Sequence, residues 1–193
     1  MKPATTIVVI AGIIIAIIVG LVAYSYTQIQ VNLFDISFAE IDWAQTSLST
    51  ILKLGLDVLT GNWLGAALSL VQDIKLNLLF GLTNHGLFPV YIPDLSYDLS
   101  INGVNVGHGN SKVDVTINPG ETKSFPVLQH VLVNSLKPAV SSIIDANGIL
   151  DLKVNGTAYF KLLGLTMPIP FESTKQISIV DEIKKHFTGT SFQ

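Results

Sequence analysis

The sequence predicts a mainly β protein: a sandwich of antiparallel strands carrying an inserted helical pair, a short helix and an N-terminal transmembrane helix. Three observations carry this expectation. An uncharged run, IVVIAGIIIAIIVGLVAY, fills positions 7–24. From residue 74 onward, short bursts of alternating apolar residues are separated by turn residues. Between these two regions, positions 46–73 switch to helical period. A chain of 193 residues has room for one ordinary domain plus an appendage.

At 1.5 Å per residue the apolar run is about 27 Å long as a helix, close to the thickness of a bilayer core. A cleaved signal peptide is the competing reading. The stretch is longer than the usual h-region, and Ala23-Tyr24-Ser25 is a poor cleavage site, so residues 1–27 are expected to be a retained anchor. Lys2 precedes the span and the next lysine is Lys53, an asymmetry that puts the amino end in the cytoplasm and the body outside. The expected location is the cell membrane, single-pass. Gly12, Ala16 and Gly20 recur every four residues and offer a small-residue face for self-association of two such helices. Asn155-Gly156-Thr157 matches a glycan acceptor triplet, for which chance occurrence is the favoured account.

After the span, QIQVNLFDISF (28–38) reads as a first strand, with Ile29, Val31 and Leu33 alternating against polar neighbours. In Thr46–Asp73, Leu48, Ile51, Leu52, Leu56 and Leu59 fall at helical spacing. Gly61-Asn62 interrupts, and Trp63, Leu64, Ala67, Leu68 and Val71 resume it, giving a helical pair that fills an insertion at about 44–73. Leu54, Val58 and Leu70 lie off the main faces, so these helices should bury against two surfaces. Six bursts follow, beginning at Ile74, Leu95, Val113, Leu150, Ala158 and Ile177. Within KPAVSSIIDAN (137–147), Pro138 suits a first helical turn and Gly148 a stop, which places a short helix between strands. Residues 28–180 make the sandwich, and the tail 181–193, with Ile183 and Phe187 one turn apart, is either a short helix or frayed.

Chemistry is sparse. Cysteine is absent, which removes disulfides, thiol nucleophiles and thiolate metal sites. All 11 basic residues are lysine, scattered along a chain with 14 acidic side chains. This argues against nucleic-acid recognition and against a guanidinium clamp. In FPVYIPDLSYDLSINGVNVGHG (88–109), Leu95, Tyr97, Leu99 and Ile101 share one strand face, and Asn102-Gly103 suits the positive φ angles of a hairpin turn. Asp94 and Asp98 would stand about 13 Å apart, beyond the reach of paired acid and base carboxylates unless Asp114 intervenes from a neighbouring strand. His85, His108, His130 and His186 lack metal-ligand spacing. Gly107-His108-Gly109 lacks the third glycine and the helix of a dinucleotide loop, and no nucleophile elbow or Walker loop occurs. No catalytic, cofactor or metal residue is nominated, and an enzyme is not expected.

The order of motifs resembles the WHy domain, also called late embryogenesis abundant type 2. That pattern runs from an Asn loop to an Ile-Pro strand, a Tyr-x-Leu strand, a Gly turn, a small-x-Gly end, a Val-Pro-Val strand and a late Pro-rich segment. Here these places are held by Asn84, Ile92-Pro93, Tyr97 with Leu99, Gly103, Gly107 to Gly109, Phe125-Pro126-Val127 and Pro168-Ile169-Pro170. The likeness spans about Gln28 to Val180 outside the helices. It departs from the pattern in having His85 where a proline usually follows the asparagine, and in the inserted helices. The resemblance implies an immunoglobulin-like or fibronectin III-like sandwich, a role in desiccation and stress tolerance, and no catalytic residues to carry over.

Three functions fit. The first is a membrane-tethered protective or interaction module. The second is a lipid or hydrophobic-ligand binding or transfer module, with the helices lining an apolar groove. The third is an accessory subunit of a membrane or envelope complex. Membrane lipids are the expected partner. A closed interior, an open groove or a broad apolar patch would tell the three apart.

Overall fold

The computed structural model describes residues 3–44, 63–162 and 164–189. Helix α1 (Pro3–Thr27) leads into strand β1 (Ile29–Trp43). Helix α2 (Trp63–Leu68) precedes β2 (Val71–Asn84), β3 (Val90–Ile101), β4 (Val104–Ile117) and β5 (Thr122–Leu132). A broken helical segment follows: α3 (Val133–Leu136), a 3-10 turn (Lys137–Ala139) and α4 (Val140–Asp145). Strands β6 (Ile149–Leu162) and β7 (Leu165–Ser178) and helix α5 (Ile179–Gly189) complete the chain. The strands make two antiparallel sheets, β1-β2-β5 and β4-β3-β6-β7, facing each other as a sandwich.

Alternation of side chains places the core. Ile74, Leu76, Leu78, Phe80 and Leu82 of β2 point inward, and Leu95, Tyr97, Leu99 and Ile101 of β3 meet them from the other sheet. Phe80 stands at the centre, its ring 5.4 Å from Tyr97, 5.7 Å from Phe125 and 5.8 Å from Phe171. Two strands change parity to keep their apolar residues inside. In β3, Val90 and Ile92 are buried and then Leu95 and Tyr97, because the register skips at Pro93. In β1, burial passes from Leu33 to Ile36 across a bulge at Phe34.

Both residues of the predicted hairpin turn adopt positive φ, Asn102 at 48° and Gly103 at 81°, as a type I′ turn requires. The Asn102 side chain accepts the backbone N–H of Asp151 at 2.7 Å, tying the turn to β6. The expected short helix is present in two pieces and ends at Asn147 and Gly148, both with positive φ.

Several expectations change. The apolar residues around Leu150–Val154 and Ala158–Leu162 belong to one strand, β6, rather than two. The inward position between them is Gly156, where a Cβ would come within 2.5 Å of the Phe171 ring. Phe171 reaches across and fills that place, so the apolar pattern in sequence breaks where the core does not. Strand β5 alternates strictly in burial, but its residue types do not follow: Gln129 is buried while Leu128 and Leu132 are exposed, so periodicity misses the strand, although the Phe125-Pro126-Val127 motif marks it. As an edge strand it tolerates Pro126. Helical period was extended to Asp73, but β2 starts at Val71. Residues 46–62 of the expected helical pair lie outside the described residues. Ile179 opens α5 rather than closing a strand, and Asp181–Gly189 of the tail is helical.

The end of the sandwich far from α1 is capped by α2, α3, α4 and α5. Leu64, Leu68, Leu136, Ile143, Ile179 and Ile183 complete the core there. Between the cap and the sheets, the void bounded by Leu68, Val71, Ile74, Ile143 and Ile179 is only about 20 Å³, room for one water molecule and not for an acyl chain.

Gly156→Ala forces the Phe171 ring out of its seat and is expected to destabilise the fold by about 1–3 kcal/mol, read as a lowered denaturation midpoint of the purified chain at unchanged slope. A midpoint equal to that of the parent would mean that Phe171 does not need the missing side chain.

Candidate functional site

The singular feature of the molecule is the joint between α1 and the sandwich. Residues Ile7–Thr27 form an uninterrupted helix whose most apolar stretch has a mean hydropathy of 3.1 and contains no buried residue. Its last turn, by contrast, is locked in place. Ser25 is fully buried, and its Oγ accepts the backbone N–H of Leu87 at 3.1 Å. The Tyr26 hydroxyl donates to the carbonyl oxygen of Pro168 on β7 at 2.8 Å, while its ring stacks 5.4 Å from Phe160 on β6. The backbone N–H of His85 donates to the carbonyl of Gln28 at 3.0 Å. Helix and sandwich therefore meet through packed and hydrogen-bonded contacts on both sheets, not through a bare linker.

The receiving surface is organised by Asn84, whose side chain is fully buried. Its amide nitrogen donates to the carbonyls of Phe88 at 2.9 Å and Ile117 at 3.0 Å, and its amide oxygen accepts the N–H of Gly86 at 2.9 Å. Both N–H groups of the amide and its oxygen are directed at backbone, which fixes the 85–89 loop against the end of β4. The Asn84 backbone bonds the turn at 118–121 in both directions, donating to Glu121 at 3.0 Å and accepting from Gly120 at 2.7 Å. The Glu121 carboxylate in turn accepts the backbone N–H of Asn118 at 2.8 Å and lies 3.3 Å from Lys123. The Asn118 N–H and then Lys123 hold Glu121 below the usual glutamate range. With the backbone polar groups paired this way, the loop needs no proline after Asn84, and His85 stays exposed.

Polar residues singled out in the sequence do not converge. Asp94 pairs across the sheet with Lys112, and Asp98 lies beside His108, 3.0 Å from its Nδ1. Asp114 does enter from β4 but turns to Tyr91, whose hydroxyl donates to it at 2.7 Å; that bond and its charge hold the phenol above its ordinary range. His130 stands 3.6 Å from Asp73, and the His186 side chain lies outside the described residues. Among the described residues, no group of three potential ligands gathers to hold a metal. Asn155 sits in mid-strand between Asp98 of β3 and Glu172 of β7, not in a loop. Gly12 and Gly20 have open space around them, so the small-residue face of α1 is uncovered.

Gly107-His108-Gly109 has a packing explanation. The Tyr97 ring lies where a side chain at Gly109 would project, and the Gln129 amide is 3.0 Å from the place of a Cβ at Gly107. In the space so opened, the Tyr97 hydroxyl donates to Gln129 Oε1 at 2.9 Å, a buried bond joining the two sheets, and desolvation pushes the phenol up to about 12. Sequence reasoning missed Gln129, Ser25 and the role of Tyr26. The first is a polar residue at an inward position of β5, and the other two look like the polar fringe of a membrane span.

Residues 80–175 match the family model described as Late embryogenesis abundant protein, and this supports a type 2 domain of that family over the stretch containing Asn84, the hairpin and the Pro-rich strand. No curated protein matches the chain. Among solved structures the chain is similar to a protein from Archaeoglobus fulgidus, at 12% identity and TM-score 0.45, covering 76% of this chain and 97% of that one. A protein of Arabidopsis thaliana aligns at 11% identity and TM-score 0.47, over 77% of this chain and 83% of that one. A solution structure assigned to the late embryogenesis abundant group aligns at 12% identity and TM-score 0.43, over 84% and 83%.

Asn84→Ala leaves two carbonyls and one N–H buried without partners and is expected to cost about 3 kcal/mol or more. Denaturation of the purified variant would show it; a loss within the error of the parent value would remove Asn84 from its central place. Because Glu121 is lowered in the folded chain, its contribution is in place above the unfolded glutamate value of about 4.3 and is lost as pH falls through the folded value. The stability gap between parent and Glu121→Gln should therefore be open at neutral pH and close on acidification, as followed by denaturation midpoints across that range.

Proposed function

We propose that this chain is a non-enzymatic, single-pass membrane protein that holds a WHy/late embryogenesis abundant type 2 domain outside the cell, where it serves stress protection, desiccation above all, or interaction with envelope components. The match over residues 80–175 supports the domain assignment. The observation that carries the tethering is the locked joint at Ser25 and Tyr26, which makes an apolar span and a polar-faced sandwich one body. The absence of charge in the span, with Lys2 before it, favours the outward orientation.

A role as an internal lipid carrier gains no support from the space beneath the helical cap, about 20 Å³ in volume. Lipid contact instead has its opportunity on the outside of the molecule, beside α1.

Natural absence of cysteine makes topology directly testable. A thiol introduced by Asn110→Cys, at an exposed position of β4, should react with an impermeant maleimide on intact cells. Reaction only after permeabilisation would reverse the orientation. Vesicles bearing the full chain should retain an entrapped dye through drying and rehydration better than empty vesicles. Equal leakage would leave interaction, not protection, as the function.

A further inference from the structure

Alongside α1 lies a groove of about 460 Å³ walled by Ile18, Val19, Val22 and Ala23 on the helix and by Leu165 and Met167 at the start of β7. We propose that this groove holds an acyl chain of the surrounding bilayer, and that the β6–β7 hairpin tip is a second element dipping into the membrane beside the span. The proposal rests on the membrane-anchored reading above.

Geometry sets the depth. The Tyr26 hydroxyl bonds the carbonyl of Pro168, so those two residues are level with each other. From Pro168 back to Leu165 the strand runs about 10 Å, and from Tyr26 back to Val19 the helix runs about 10 Å. Tip and helix therefore descend side by side, and Leu165, 60% exposed, lies level with residues well inside the apolar span. A tyrosine at that height is where a span ordinarily leaves the hydrocarbon.

Chemistry names the occupant. The groove is almost wholly apolar and is continuous with the surface that the span presents to lipid, so neither water nor a polar headgroup would be matched there. A straight hydrocarbon chain parallel to the helix fits its length of about 12 Å between Ile18 and Tyr26. The hairpin can enter because its strands bond each other down to the Leu162–Leu165 pair.

Single-cysteine variants of the full chain, labelled with a fluorophore and reconstituted into dioleoylphosphatidylcholine vesicles doped with acyl-chain nitroxide lipid, test this. Labels at Leu165→Cys and Ile14→Cys should be quenched alike, and several-fold more than a label at Leu128→Cys, an equally exposed apolar position on the flank. Quenching at Ile14→Cys with none above the flank value at Leu165→Cys would overturn the hairpin proposal while leaving the anchor standing. No quenching at Ile14→Cys would sink the anchor and the proposal together. In Ala23→Trp/Leu165→Cys the indole fills the groove, and quenching should fall toward the flank value; unchanged quenching would show that lipid touches the tip without entering the groove.

Discussion

One buried amide holds together everything that gives this molecule its orientation. Asn84 ends the central strand of the smaller sheet, and its side chain satisfies three backbone groups belonging to the 85–89 loop and the end of β4. A buried backbone carbonyl or N–H without a partner is costly, so the loop has one low-energy shape while Asn84 is present. That shape presents the N–H of Leu87 to Ser25 and the N–H of His85 to Gln28. The direction in which the apolar helix leaves the sandwich thus follows from hydrogen bonds made by a residue at the end of β2, outside the helix itself.

The same reasoning accounts for the scatter of polar residues over the described part of the chain. A catalytic site needs ionisable groups brought within hydrogen-bond reach of one another in a sheltered place. Among the described residues, Asp98 with His108 and Lys153 with Glu172 stand as exposed pairs on the larger sheet, and Glu40 with Lys75 and Asp73 with His130 stand apart from them on the smaller one. Asp73 Oδ1 is buried without a hydrogen bond, whereas the buried Asn84, Ser25, Gln129 and the hydroxyl of Tyr97 have protein partners. They are spent on holding loops and sheets together.

Legibility in the sequence followed the physics of each element. The hairpin at Asn102-Gly103 and the core faces of β2 and β3 were readable because turn chemistry and strict alternation are local. Strand β6 was read as two because Gly156 yields its place to Phe171, a residue 15 positions away. Strand β5 escaped periodicity because Gln129 takes an inward place while Leu128 and Leu132 face outward, and only its motif in the resemblance revealed it. The joint was illegible for a different reason: Ser25 and Tyr26 acquire their roles from Leu87 and Pro168, which are 62 and 142 positions distant.

The bulges and prolines on the outer strands have a consequence for crowding. Strand β1 is interrupted by three register shifts, β5 carries Pro126, and β7 carries Pro168 and Pro170. At high concentration a flat unpaired strand recruits its neighbour into a growing ribbon. Kinked and proline-studded rims deny that template, so copies pressed together separate again on dilution.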